Sequence, residues 1–585
     1  MRKEMDLDLG FAAHALRFGT LALLVLGCAA GLARAERADD GSGPSRHYVL
    51  VSAGGWGAAQ EAAIRGAGGT VDFGHASGIG AASSADPGFL RRVLQGGTFS
   101  KGAEDMVVQW QAPLEAQVPV EDAVVPGNEA FINLLWNMTA IDAFGAWSQG
   151  YDGAGVRVAV IDGGICATHP DLAANIDVAA SRSFVPGFGF GDDTGGPAAF
   201  RHACHVAGII AAVDNAIGTI GVAPRATIIA CKALHGGSGT FAAVIQAILH
   251  AADPISSGGG GANVINMSLG ATLVMGGGNT GAGQLVAALN QAISYATSRN
   301  VLVVCSAGGD AADLDHNGPA VTVPAQSGDA LAISATAPVG YAVGWPNGAT
   351  NFDQPASYTN YGRSAIWVSA PGGDSALPGS ASCTIPPLTA PCWLFDLILS
   401  PGAQNGSYFF AGGTSMAAPH VAGVAALIAQ KYPGISAGEL KARLAQAAVD
   451  AGETGIDPFH GHGFLNANNA VSTVLTPDVA SSRPGRSVVA AVPTRVELEV
   501  ARNAGGSVPE ISFALPSSGI ARVEVFDIAG RRVAELYNGT APAGRTTLSW
   551  NGRGSRGEAL GRGMYFARLT ANGARITRTV LLLGP

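Results

Sequence analysis

GGTSMAAPHVAG, Gly412 to Gly423, sets a small-residue turn ahead of an Ala-rich apolar run that reads as a buried helix. Pro419 is expected in the first turn of that helix, where its missing N–H leaves no bond unmade. Ser415 then stands at the helix N-terminus, beside unpaired backbone N–H groups and the positive end of the dipole. Such a position suits a hydroxyl that must become an alkoxide with an oxyanion held beside it. A serine is a weak nucleophile alone. It needs a base, and the base needs an orienting carboxylate.

Working outward, VRVAVIDGGI (Val156 to Ile165) supplies the carboxylate. Its near-continuous apolar run, bounded by Gly155 and Gly163, reads as a strand covered on both faces and so as part of a parallel sheet. Asp162 closes the run, at the carboxyl end where α/β sheets place their chemistry. RHACHVAGIIAAVDNAIGTIGVAP (Arg201 to Pro224) supplies the base, His202, again ahead of a small-residue helix. Taken singly, Ser415 also reads as a packing residue, Asp162 as a turn former and His202 as a surface or satisfied core histidine. HACH also contains zinc-ligand types. However, His202 and His205 share a helix face while Cys204 points elsewhere, and the Glu of H-E-x-x-H is missing.

The three segments, in the order Asp, His, Ser, resemble the subtilisin-like serine proteases. The Ser415 block matches that family's G-T-S-M-A-x-P-H-V-A-G, and the Asp162 block continues into His169, Pro170, Asp171 and Leu172. The His202 block follows H-G-T-H-V-A-G with Ala203 and Cys204 in place of Gly and Thr. The resemblance implies a serine endopeptidase with Asp162, His202 and Ser415 as its triad. It makes VINMSLG (Val264 to Gly270) the substrate-binding strand, with Ser268, Leu269 and Gly270 pairing with a polypeptide substrate. The implied oxyanion donors are the Ser415 N–H and the position held here by Gly309, where the family carries an Asn. Asp310, next to it, is a poor substitute because a carboxylate only accepts hydrogen bonds. VDNAIGTIGVAP resembles the family's calcium loop, with Asp171 and Asn215 at side-chain ligand positions for a structural Ca2+; no cofactor is required for the chemistry.

A chain of 585 residues with 48% hydrophobic and 13% charged residues is expected to hold several folded domains. Its net charge of −9 and lack of a basic stripe argue against nucleic acid as a partner. Residues 1–35 read as an export signal, with an apolar run from Phe18 to Leu32 and an Ala33-Arg34-Ala35 cleavage site. Val25-Leu26-Gly27-Cys28 reads alternatively as a lipoprotein box with Cys28 lipidated. Secretion or cell-surface location follows either way. Seven cysteines suit an oxidising compartment. Cys383 and Cys392, flanking a Pro-rich loop, are the best disulfide pair. Cys231 and Cys305 read as buried thiols, while the pairing of Cys166 with Cys204 stays open. A free Cys204 would set a thiol beside the base, open to mercurials and oxidation.

The expected fold is multidomain. A linker at 36–45 precedes a small α+β unit at 46–126, read from the strands HYVLV, TVDFG and MVVQW (Met106 to Trp110) and two helices. Ahead of a subtilisin-like domain, this unit resembles the family's inhibitory, folding-assisting propeptide. The stretch from Gln111 to Ala130 reads as an irregular junction suited to cleavage. The catalytic domain is expected at 131–475, a parallel sheet with helices on both faces. A linker at 476–495 leads to an all-β, Ig-like sandwich at 496–585, read from period-two alternation. That last unit resembles Ig-like modules of exported bacterial enzymes, such as type IX sorting and flagellar hook-capping domains, and cell-surface attachment is one role this implies. A non-catalytic binding module on the same scaffold is the alternative, favoured by Gly309 and the altered HACH.

Overall fold

The apolar run that ends in Asp162 forms the strand Arg157–Asp162, buried from Val158 onward. Val158 and Val160 pack into one apolar cluster and Ala159 and Ile161 into another, so both faces are covered. A computed structural model describes this strand and residues 45–110, 117–120, 131–276, 280–348, 350–472 and most of 496–582. The expected signal peptide, Cys28 and the linker at 476–495 lie outside the described residues, as do 111–116 and 121–130 of the junction.

Arg157–Asp162 sits inside an eight-stranded sheet. The strands run in the order Gln354–Pro355, Ala330–Ala337, Leu302–Ser306, Val264–Met267, Arg157–Asp162, Thr227–Lys232 and Arg182–Ser183, with Ile366–Pro371 also paired to Ala330–Ala337. All pairings are parallel except that of Gln354–Pro355. The helices His202–Ala211 and Thr414–Lys431 pack on one face, Phe241–Ala252 and Thr280–Ser298 on the other. From Arg157–Asp162 the chain first adds Thr227–Lys232 on one side and then Val264–Met267 on the other. This reversal opens a crevice at the carboxyl ends of the strands, between Asp162 and Ser268.

The expected α+β unit is a four-stranded antiparallel sheet in the order Thr70–Gly74, Ile79–Ser84, Arg46–Val51, Lys101–Glu104, with the helices Ala58–Gly66 and Phe89–Gln95. Tyr48 and Leu50 pack on Ile64, Phe89 and Val93 of its own helices. Val49 and Val51, on the opposite side, join the cluster of the catalytic helices Phe241–Ala252 and Thr280–Ser298. One reading needs correction. Lys101–Glu104, not Met106–Trp110, closes this sheet. Val107–Gln109 leaves it and pairs antiparallel with Ser238–Thr240 of the catalytic domain. The junction is also less irregular than expected, because Gln117–Val120 pairs antiparallel with Tyr408–Ala411.

The described residues from 496 onward belong to a separate compact unit. Among its described residues, antiparallel sheets of three and four strands enclose Leu498, Ile511, Phe513, Val523, Val525, Trp550 and Leu569.

Candidate active site

Asp162 ends its strand with its main-chain oxygen accepting from Ala233 and Leu234 and its Oδ1 accepting from the Gly163 N–H at 2.6 Å. Its Oδ2 accepts from His202 Nδ1 at 2.8 Å. Both side chains are buried, at 1% and 5% residue exposure. Lys232, across the strand pairing from Asp162, is buried with its amine donating to Leu234 O. Burial pushes that amine down, and the carboxylates of Asp193 and Asp162 act against the shift.

His202 opens its helix, and its Nε2 is buried without a hydrogen-bond partner. Ser415 is the second residue of the helix Thr414–Lys431, so its N–H is among the four left free by the helical pattern. Its Oγ donates to Ser268 O at 3.3 Å rather than to His202. The structure therefore brings Asp162 and His202 into contact and leaves the Ser415–His202 link unmade. Such links are often loose before a substrate is bound.

Pro419 is the sixth residue of this helix, in its second turn, not the first as expected. There it removes the N–H that would have bonded the Ser415 carbonyl. Ser268 Oγ takes that place, donating to Ser415 O at 2.7 Å while accepting from Asn266 Nδ2 at 3.0 Å. The end of the Val264–Met267 strand and the serine turn are thus tied side chain to main chain. Ser268→Ala is expected to leave this buried carbonyl unpaired, lowering stability by about 1–3 kcal/mol in a thermal melt and slowing turnover with it.

The position expected to serve the oxyanion, Gly309, lies in the turn after Leu302–Ser306. Gly308, at φ +102°, has no room for a side chain, since a β-carbon would lie 2.4 Å from Asn360 Nδ2. Its N–H donates to Thr414 Oγ1 at 3.2 Å. Gly309 is open: the nearest atom to a β-carbon there is Tyr358 Cδ2 at 3.8 Å. Asn360 shapes this turn, accepting from the Asp310 and Ala312 N–H groups and donating to Ala307 O. Asp310 is exposed. Thr414 lies in the serine block and Asn360 ends the Asn347 to Asn360 region, which sequence offers as another source of an oxyanion donor; their bonds to this turn were not legible from sequence.

The substrate-strand expectation meets an occupant from the same chain. Gly270 N–H donates to Trp110 O at 2.7 Å, and Trp110 N–H donates to Gly237 O at 3.0 Å. Trp110 is fully buried, its ring edge-on to Phe241 and its Nε1 donating to Gly239 O. Leu269 is buried with its carbonyl accepting from Ser306 Oγ.

Cys383 and Cys392 are disulfide-bonded, as are Cys166 and Cys204; Cys231 and Cys305 are free and buried. The bridge at Cys204 closes the pairing that sequence left open, so no free thiol stands beside His202, and it takes Cys204 out of any metal set. Among the described residues no three His, Cys, Asp or Glu side chains are gathered to hold a metal. Asp171 is buried, with Oδ2 accepting from the Thr219 N–H and Tyr408 Oη and Oδ1 without a partner. Burial raises its carboxyl to about 6. Asn215 lies exposed on the following loop, donating to Pro170 O.

The profile of the subtilase family matches residues 153–463, and that of the FlgD Ig-like domain matches residues 500–575. Subtilisin Savinase of Lederbergia lenta is 34% identical over 338 residues, covering 57% of this chain and 97% of that protein. Thermitase of Thermoactinomyces vulgaris is 32% identical over 349 residues, covering 59% of this chain and 99% of that protein. The epidermin leader peptide processing serine protease of Staphylococcus aureus shares the fold, with a TM-score of 0.56 over 73% of this chain and 98% of that one at 20% identity.

Proposed function

The chain belongs to the subtilase family of serine proteases, and on that premise we propose that it is an exported endopeptidase made as a self-processed zymogen. Ser415 Oγ attacks the scissile carbonyl, His202 Nε2 takes its proton and returns it to the leaving amine, and Asp162 orients the imidazole and stabilises its cation. The Ser415 N–H faces the developing oxyanion at the positive end of its helix. The observation that carries this reading is the buried Asp162–His202 hydrogen bond, together with Ser415 at the start of its own helix. A fluorophosphonate is expected to label the wild type and not Ser415→Ala; equal labelling of both would remove Ser415 as nucleophile.

Residues 46–126 are read as the inhibitory propeptide. Support comes from the apolar cluster its sheet shares with the catalytic helices and from Trp110, paired by main chain at Gly237 and Gly270. Gln117–Val120 pairs with the strand leading to Ser415. The segment between these two anchors is where the chain is expected to cut itself. Polypeptide substrates would replace it, adding a strand beside Ser268, Leu269 and Gly270.

A structural Ca2+ fits the partnerless, buried Asp171 Oδ1, an oxygen that a hard cation would satisfy. Asp171 and Asn215 would hold it, and it would supply charge compensation to their loops. EDTA is expected to lower the Tm of the mature enzyme, with Ca2+ restoring it and Asp171→Asn removing the response. An unchanged Tm would remove the site. The C-terminal Ig-like unit is proposed to serve sorting or cell-surface attachment.

The second reading, a binding module without catalysis, is favoured by Ser415 Oγ turning to Ser268 O and by the absent side chain at Gly309. A wild-type chain that stays uncut and unlabelled would decide for it.

A further inference from the structure

Asp162 and His202 each stand at the end of a regular element, Asp162 closing its strand and His202 opening its helix. Asp162 is followed by Gly163 and Gly164, the residue type with the greatest backbone freedom. Neither can take a side chain: β-carbons there would lie 2.6 Å from Asp193 Oδ2 and 2.2 Å from Asp192 O. His202 is the first residue of its helix, and the preceding Arg201 makes no side-chain cap. Uncapped helix starts leave their first N–H groups unpaired.

The Cys166–Cys204 bridge restrains both. Cys166 lies four residues beyond Asp162 and Cys204 two beyond His202, and both cysteines are fully buried. The covalent path from Asp162 through Gly163, Gly164, Ile165, Cys166, Cys204 and Ala203 to His202 is closed into a ring by the 2.8 Å Nδ1–Oδ2 hydrogen bond. The glycine exit and the helix start therefore cannot drift apart independently.

We propose that the Cys166–Cys204 disulfide is a positioning element of the catalytic site, holding His202 against Asp162, so that full turnover is reached only once this pair is oxidised. This deepens the protease reading and rests on it. Oxidation removes two protons and two electrons from the two thiols. A disulfide-bearing oxidant accepts them and leaves as two thiols. Because the bridge is buried, it forms during folding, and reductant added to the folded enzyme is expected to leave turnover unchanged. A chain folding in a reducing compartment would carry a slack triad, and self-cleavage would be slow until export.

The full chain is compared as wild type, as Cys166→Ser/Cys204→Thr and as Cys383→Ser/Cys392→Ser, with Tm, kcat and KM measured on a peptide substrate. Thr at 204 matches the family pattern. The variant without the Cys166–Cys204 bridge is expected to fold and keep its KM while kcat falls about tenfold, a loss of alignment rather than of binding. The variant without the hairpin bridge keeps its kcat. Refolded in dithiothreitol, that hairpin variant should show the same loss, whereas refolded in oxidised glutathione it should reach full turnover. This second measurement decides the matter if the first variant fails to fold. A folded bridge-less variant with wild-type kcat, or an equal kcat after reducing and oxidising refolding, overturns the positioning role alone. A wild type that hydrolyses nothing overturns the protease reading and this inference together.

Discussion

Ser415→Ala is expected to lower peptide hydrolysis about a millionfold while leaving the fold intact. That magnitude belongs to the equivalent loss in subtilisin, a member of this family, and is not obtained from the present chain. The physical basis is local. Without the hydroxyl, His202 Nε2 has no proton to take, and no acyl-enzyme can form. The fold should survive because Ser415 Oγ makes only a 3.3 Å bond to Ser268 O, while the main-chain clamp from Ser268 Oγ to Ser415 O does not involve the deleted atom. Activity is checked with an active-site titrant and a peptide substrate, and folding by the Tm. Residual hydrolysis within tenfold of wild type would show that another group is the nucleophile.

Gly309→Asn is expected to raise kcat, by less than about 10²-fold, with little change in KM. The ceiling is again a subtilisin figure, the lower bound of the cost of deleting an oxyanion donor. A gain requires both space and a missing donor. Space is present, since the nearest atom to a β-carbon at Gly309 is 3.8 Å away. The other possible source of a donor is an Asn from the Asn347 to Asn360 region, in which case Gly309→Asn would be neutral or harmful through crowding. Asn347 and Asn351 are exposed, and Asn360 holds the turn through Ala307, Asp310 and Ala312. The gain falls short of the ceiling because this turn is not shaped around an amide. A folded Gly309→Asn enzyme with unchanged or reduced kcat would contradict the incomplete-hole account.

Much of the catalytic domain was legible because its determinants are local. The run from Val156 to Ile161 between glycines can only be satisfied by cover on both faces, and Asp162 and Ser415 follow from where such runs end. Helix starts were less legible: Pro419 sits a turn deeper than expected, because Gly413 rather than Pro419 sets the start. Ile79–Ser84 went unread because IGAASS carries small residues without a strand's branched or aromatic pattern. Met106–Trp110 was read as extended, and most of it is, but its partner was not legible. Pairing to Ser238–Thr240 is fixed by a docked surface that no local pattern encodes. For the same reason the bonds of Thr414 and Asn360 to the turn after Ser306 emerged only in three dimensions, and so did the choice between free and paired for Cys166 and Cys204.

The most direct test of the zymogen protease account is the N-terminus of the purified full-length chain after incubation alone. Wild type is predicted to acquire a new N-terminus between Gln111 and Gln117, since the anchors at Trp110 and Gln117–Val120 bracket the crevice, while Ser415→Ala stays intact. A wild type that remains uncut, or a Ser415→Ala chain that cuts itself at the same bond, would contradict the account.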